Sequence, residues 1–214
     1  NLVLSIFQPL RSFTETFWGF LLIDFITIVL YSMGISAWVL TPITTPIKLA
    51  AITANAAGAA NVFTNSFGYA YMAIGGAGCT LGLAILMLKS KSVKLKALGR
   101  ATIVPSIFNI NEPVVFGAIA WNPILMIPMW LCSIASVSLA WIFTKVIAFA
   151  PIPVINFQLW YCPYPICTWL ATSGALTGII LVFAIFAVTL LIYYPFFKVY
   201  EKQCINEEQA ANKA

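Results

Sequence analysis

Asn109-Ile110-Asn111-Glu112-Pro113 sets a lone carboxylate between two asparagines and a proline, in a chain where nearly everything around it is apolar. An ionised side chain at bilayer depth costs roughly 2.5–3.5 kcal/mol on insertion scales, and acids retained there mark substrate or ion paths. Pro113 lacks an amide hydrogen and biases Glu112 out of the α region. Backbone broken in this way persists in a membrane only where protein or a water-filled cavity satisfies its polar groups. An acid on broken backbone therefore reads as the lining of a site. The plain alternative is an extramembrane loop that happens to carry Glu-Pro.

Composition supplies the membrane. Of 214 residues, 62% are hydrophobic and 8% charged, and the mean hydropathy is +0.97. Soluble domains carry about 25% charged residues, so this is an integral membrane protein with an all-α, multi-span helical bundle as its fold class. The net charge of +5 is dispersed through the termini and one loop, which argues against a nucleic-acid partner. The absence of histidine removes the commonest metal ligand and general base together. The five cysteines show no metal spacing, and Cys79 and Cys132 lie in apolar runs. The expectation is no metal and no cofactor.

Immediately before the central stretch, Lys89, Lys91, Lys94, Lys96 and Arg100 cluster without an acid, which places this loop in the cytoplasm. A contact with lipid headgroups or a partner is the other reading of the same charges. After the central stretch, apolar runs at 123–149 and 172–197 are each long enough to cross, and Lys198 and Lys202 again indicate the cytoplasm. Two cytoplasmic ends require an even number of crossings. The last two runs provide two, so 101–119 enters and leaves on one side, as a re-entrant hairpin with Glu112 near its tip. Pro128 is the weak point, since it kinks or shortens the run it occupies.

Earlier in the chain, 17–40 is a crossing with Trp18 as an interfacial anchor. Asp24 falls near its start, so the headgroups are its expected surroundings, with a polar cavity as the other reading. Gly34-Ile35-Ser36-Ala37-Trp38, followed by Thr41-Pro42 and Thr45-Pro46, predicts that this helix stops or breaks. Residues 47–60 form either a short tilted crossing or a re-entrant segment. Residues 67–88 are expected to span, with the glycines of 75–82 on a close helix–helix face; a phosphate loop is set aside because its Lys-Ser/Thr ending is absent. The prolines of 150–171 exclude a regular helix there. Its tryptophans belong either to the interfacial belt or to an apolar platform for a sugar ring.

Four stretches together resemble enzyme IIC, the sugar-transporting membrane subunit of the lactose/cellobiose (diacetylchitobiose) family of the bacterial phosphotransferase system. They are Gly75-Gly76-Ala77-Gly78-Cys79-Thr80-Leu81-Gly82-Leu83, residues 90–99, residues 107–117 around the Asn-Glu-Pro motif, and residues 192–200. The resemblance covers nearly the whole chain but only the second, sugar-holding half of a family member. The chain, which opens on Asn1, thus reads as a piece of a longer polypeptide: a single membrane domain over 1–214 with a polar cytoplasmic tail at 203–214.

The resemblance implies a bacterial inner-membrane, multi-pass permease for a β-linked disaccharide or related glycoside. Its other partners are cytoplasmic enzyme IIB, membrane lipid, and a second copy in a homodimer made through the missing first half. Glu112 takes the family's role of bonding the sugar 6-hydroxyl and accepting its proton. Trp160 matches the stacking tryptophan, with Asn109 and Asn111 as further binding residues. The chain departs from the family at Gly34-Ile35-Ser36-Ala37, where Ser36 replaces a sugar-holding histidine; serine is shorter and carries no charge. None of the cysteines matches a phosphoryl carrier. The rival reading is a degenerate, non-catalytic half-permease that binds a sugar or a partner. Ion-coupled symport is a third reading, with Asp24 as its one further acid.

Overall fold

Thr16 opens the first described crossing because its side chain accepts from the Gly19 amide at 3.0 Å, satisfying one of the orphan donors of a helix N-terminus. The structure, a computed structural model, describes residues 9–212. Helix α1 (Phe17–Ser32) ends where Gly34 takes φ +85, a conformation glycine adopts freely. Thus the predicted stop is real, and the chain turns through 33–40 into α2 (Thr41–Ala56), which carries a proline in its first turn and Pro46 inside. Helix α2 begins six residues before the expected 47–60 segment, since proline is well placed at a helix start.

The expected single crossing over 67–88 is instead two short helices, α3 (Asn65–Tyr71) and α4 (Leu81–Leu88). Between them Gly75, Gly76, Gly78 and Cys79 all have positive φ. A Cβ on Gly75 would stand 2.4 Å from the Leu81 Cβ. These glycines thus form a tight turn rather than a helix face. The close packing expected of the run survives at Gly82, where a Cβ would meet Leu190 at 3.2 Å.

Ser92 caps α5 (Val93–Ile107) by accepting from Leu95 N. The chain then reverses at Asn109, φ +61, into α6 (Glu112–Val114), which continues as a π-helical turn over Val115–Ile119. Gly117 returns so close to α5 that a Cβ there would lie 2.9 Å from Leu98. The chain thus reverses between 107 and 112 as expected, with Glu112 just past the turn, although the first arm begins at Val93 rather than Ala101.

Helix α7 (Pro123–Trp141) passes through Pro128 without ending and extends as a π-helical turn over Ile142–Val146. Irregular chain then leads to α8 (Ile166–Ala171) and to α9 (Leu176–Ala211). Among the described residues two helices, Pro123–Val146 and Leu176–Ala211, are long and apolar enough to cross a membrane. At 1.5 Å per residue, α9 is about 54 Å long against a hydrocarbon core of about 30 Å, so one end projects. The principal packing pairs α7 with α9, α4 with α5, and α1 with α7, around fully buried Phe67, Tyr71, Met129, Tyr193 and Phe197. Among the described residues there is no strand.

The projecting end of α9 is tied to the basic loop. Glu201 accepts from Ser90 Oγ at 2.7 Å and Lys91 N at 2.8 Å. Glu208 accepts from Ser92 Oγ at 2.6 Å and Lys94 N at 2.9 Å. Charge-assisted bonds of this kind are about twice as strong as neutral ones, and they hold both segments at one end of the molecule.

Candidate functional site

Two buried asparagines build the site. Asn109, 6% exposed, donates from Nδ2 to the carbonyls of Trp160 (3.0 Å) and Cys162 (2.8 Å). Its Oδ1 accepts from Gly75 N at 2.9 Å. Asparagine tolerates the left-handed conformation this position requires, and one side chain thereby pins the hairpin tip, the glycine turn and the proline-rich loop to one another. Asn111, 3% exposed, donates to Ala77 O (2.7 Å) and Thr80 Oγ1 (3.1 Å) and accepts from the Tyr31 hydroxyl at 3.2 Å. That last bond adds α1 to the assembly. The glycine turn must lie close to permit these bonds: a Cβ on Gly76 would sit 2.4 Å from Asn111 Cγ.

Around this brace opens a cavity of about 500 Å³, within the usual range for small-molecule sites. Glu112, Asn109, Asn111 and Trp160 all line it, although they arise from the hairpin and from a loop far along the chain. Glu112 is exposed, and among the described residues no group donates to its carboxylate. The two asparagines face the cavity, but their amides are already engaged by protein. Trp160 stands edge-on to Trp38, ring centroids 6.3 Å apart, and to Tyr161 at 5.6 Å. Trp38 lines the cavity too.

Ser36 lies elsewhere. It is exposed and accepts the Trp38 amide at 3.2 Å, while the cavity wall in this turn is made by its neighbours Ala37 and Trp38. The serine hydroxyl is short enough to close a local turn on the backbone, and this directs it away from the position expected for a ligand group.

Asp24 departs from its expected place near the headgroups. It turns into the cavity, where Oδ2 accepts from Ser133 Oγ at 2.5 Å, and Lys48 of α2 lines the same cavity. Depth along the chain is a poor guide here because α1 packs directly on α7, which turns the Asp24 face inward. Asp24, Lys48, Tyr31 and Trp38 were not among the site residues expected from sequence. A pattern does carry them: Asp24, Thr27 and Tyr31, and Thr41, Thr44 and Lys48, each recur at helical spacing along one face. Among the described residues no cluster of potential metal ligands occurs.

The family model for the phosphotransferase system, EIIC, matches residues 3–133. The cellobiose-specific EIIC component of Geobacillus stearothermophilus is 40% identical over 154 residues, covering 70% of this chain and 34% of that protein. The lactose-specific EIICB component of Staphylococcus aureus (strain N315) is 31% identical over 222 residues, covering 99% of this chain and 38% of that protein. The crystal structure of the transporter ChbC, the IIC component from the N,N'-diacetylchitobiose-specific phosphotransferase system, superposes with a TM-score of 0.91 at 33% identity. That match covers 98% of this chain and 50% of ChbC. The chain thus spans from about a third to a half of the length of the proteins it matches.

Proposed function

The chain belongs to the phosphotransferase-system EIIC family, and on that premise we propose that its cavity binds a β-linked disaccharide or related glycoside and presents one hydroxyl for phosphorylation. The family is one of integral membrane proteins, and we place this chain in the bacterial plasma membrane as a multi-pass unit. The observation that carries the reading is that Glu112 and Trp160 line one cavity of disaccharide scale. An aromatic wall packs against the C–H face of a sugar ring, while a free carboxylate accepts from a hydroxyl.

In the proposed reaction the phosphoryl group passes from a phosphocysteine of a separate enzyme IIB to the sugar oxygen. The S–P bond breaks, the O–P bond forms, and the hydroxyl proton goes to the Glu112 carboxylate. General-base help of this kind is worth typically ~10²–10⁴-fold. Among the described residues no group donates to Glu112, which supports this role, because its oxygens are open to a ligand. Asn109 and Asn111 act as braces that fix Glu112 and Trp160 in relation to each other. The printed substrates of the matched relatives, cellobiose, lactose and diacetylchitobiose, support a two-ring ligand. The homodimer contact is assigned to the part of the relatives' length that this chain does not span.

Glu112→Gln tests the reading, since it keeps shape but removes the base. Membranes carrying the variant are expected to insert it normally, bind cellobiose more weakly and lose at least a hundredfold in enzyme IIB-dependent sugar phosphorylation. Phosphorylation at the unsubstituted rate would remove Glu112 from the mechanism. Sugar binding with no phosphorylation by the unsubstituted protein would favour the non-catalytic half-permease.

A further inference from the structure

Helix α5 has one side fixed and one side bare. Leu95, Gly99, Thr102 and Ser106 are buried, and α5 lies so close on α4 that a Cβ on Gly99 would stand 2.3 Å from Leu88 N. Val93, Lys96, Arg100, Val104 and Ile107 are all exposed, and their three- and four-residue spacing puts them on a single face. Phe108 extends that face just past the helix end and is exposed as well.

Charge and apolarity are sorted along this face. Lys94, Lys96 and Arg100 lie in its first turns, beside Lys89 and Lys91 of the preceding loop, and Val104, Ile107 and Phe108 lie in its last. From Lys96 to Ile107 the helix rises about 16 Å. One leaflet's share of a hydrocarbon core is about 15 Å. The cations also lack counter-charges at short range. Among the described residues the one ion pair is Lys198–Glu201. Glu201 and Glu208 reach this loop, but they bind its hydroxyls and backbone amides rather than its lysines.

We propose that this face of α5 seats an anionic phospholipid, its phosphate among Lys94, Lys96 and Arg100 and an acyl chain along Val104, Ile107 and Phe108. An acidic protein in solution would meet the cations and leave the apolar half of the face bare. A zwitterionic lipid would cover the apolar half and leave the cations without a net counter-charge. An anionic phospholipid matches both halves at once, and the Arg100 guanidinium suits a phosphate's paired oxygens. Helix α5 runs directly into Asn109, so the lipid bears on the arm that carries the brace of the cavity. The proposal is independent of the sugar chemistry.

The test places an environment-sensitive fluorophore on Val104→Cys in a cysteine-free background, in bilayers doped with brominated lipid, whose chains quench on contact. Brominated phosphatidylglycerol is compared with brominated phosphatidylcholine at equal mole fraction. Each cation near an anionic headgroup favours it roughly fivefold. Half-quenching is therefore expected at a mole fraction at least about tenfold lower for the anionic lipid. The triple variant Lys94→Gln/Lys96→Gln/Arg100→Gln, all at exposed positions, is expected to bring the two lipids within twofold. Lys94→Arg/Lys96→Arg, which keeps the charges, should preserve the preference. High salt should erase it in the unsubstituted chain, a readout that needs no substitution on the cationic surface. Equal quenching by both lipids in the unsubstituted chain means ordinary bilayer contact and overturns the site. A preference that survives both the triple variant and high salt places the headgroup elsewhere and overturns it too. Absence of quenching by either lipid means that protein covers this face, a second copy or the relatives' additional length, and it removes the lipid.

Discussion

A Cβ built on Gly76 would stand 2.4 Å from Cγ of Asn111, so the glycine turn and the brace beside Glu112 touch with no room for a methyl group. Gly76 also has φ +96, where an L residue is strained by about 1–2 kcal/mol. Overpacking adds typically ~1–3 kcal/mol. Gly58 isolates the two effects, because it has φ +99 with nothing within 4 Å of its would-be Cβ. Gly58→Ala is expected to show only the backbone cost in denaturation followed in detergent. Gly76→Ala is expected to cost more and to abolish cellobiose binding by displacing Asn111. Equal stabilities and intact binding would show that the turn is looser than this contact implies.

Asn109 supports a prediction that separates backbone from side chain. Asn109→Gly keeps the φ +61 conformation but leaves the Gly75 amide and the Trp160 and Cys162 carbonyls without their partner. Each buried group so abandoned costs roughly 1–3 kcal/mol. Asn109→Asp is expected to be worse, since it points a carboxylate at two carbonyl oxygens. Hydrogen exchange should quicken in residues 72–80 and 156–165 together for both variants, with Asp beyond Gly. Exchange that quickens in one segment alone would mean that Asn109 does not couple them.

How much of this was legible in the sequence follows from what each residue advertises. Glu112 stood out because a charge in apolar surroundings has few roles, and the hairpin followed from charge and parity. The glycines of 75–82 were misassigned to a helix face. Small residues suit both a close helix contact and a tight turn, and only the positive φ values decide between them. Asp24 was placed near the headgroups because position along a helix gives depth but not facing. What turns it inward is packing of α1 on α7, a relation between segments more than a hundred residues apart. Ser36 marks the opposite limit: a local bond to the Trp38 amide directs its hydroxyl, and a one-residue comparison with a family motif carries no such information. Trp38 itself was read only as punctuation beside a helix stop.

Trp38 should therefore matter to binding more than to folding. It is half-exposed, with its ring edge-on to Trp160, and such pairs contribute about 0.5–1.5 kcal/mol beyond area burial. Trp38→Ala is expected to lower cellobiose affinity by about threefold to tenfold while leaving the unfolding midpoint nearly unchanged. Trp38→Phe should recover most of the loss, because a flat apolar ring is restored. Unaltered cellobiose affinity in the alanine variant would remove Trp38 from the site.

The last prediction concerns topology. Glu201 and Glu208 bind the 90–94 backbone and hydroxyls directly, so the basic loop and the end of α9 lie together whichever side of the membrane they occupy. The lysines and arginine of 89–100 predict that this side is the cytoplasm. Val93 and Gln203 are both exposed, and Val93 meets Glu208 only through its backbone amide, so cysteines at these positions leave the clamp intact. In a cysteine-free background, each is expected to resist a membrane-impermeant thiol reagent in intact cells and to react once the membrane is opened. Labelling of both in sealed cells would keep the clamp and invert the chain. Labelling of one alone is incompatible with the Glu201 and Glu208 bonds to the basic loop, and it would also undo the parity argument that places Glu112 on a re-entrant hairpin.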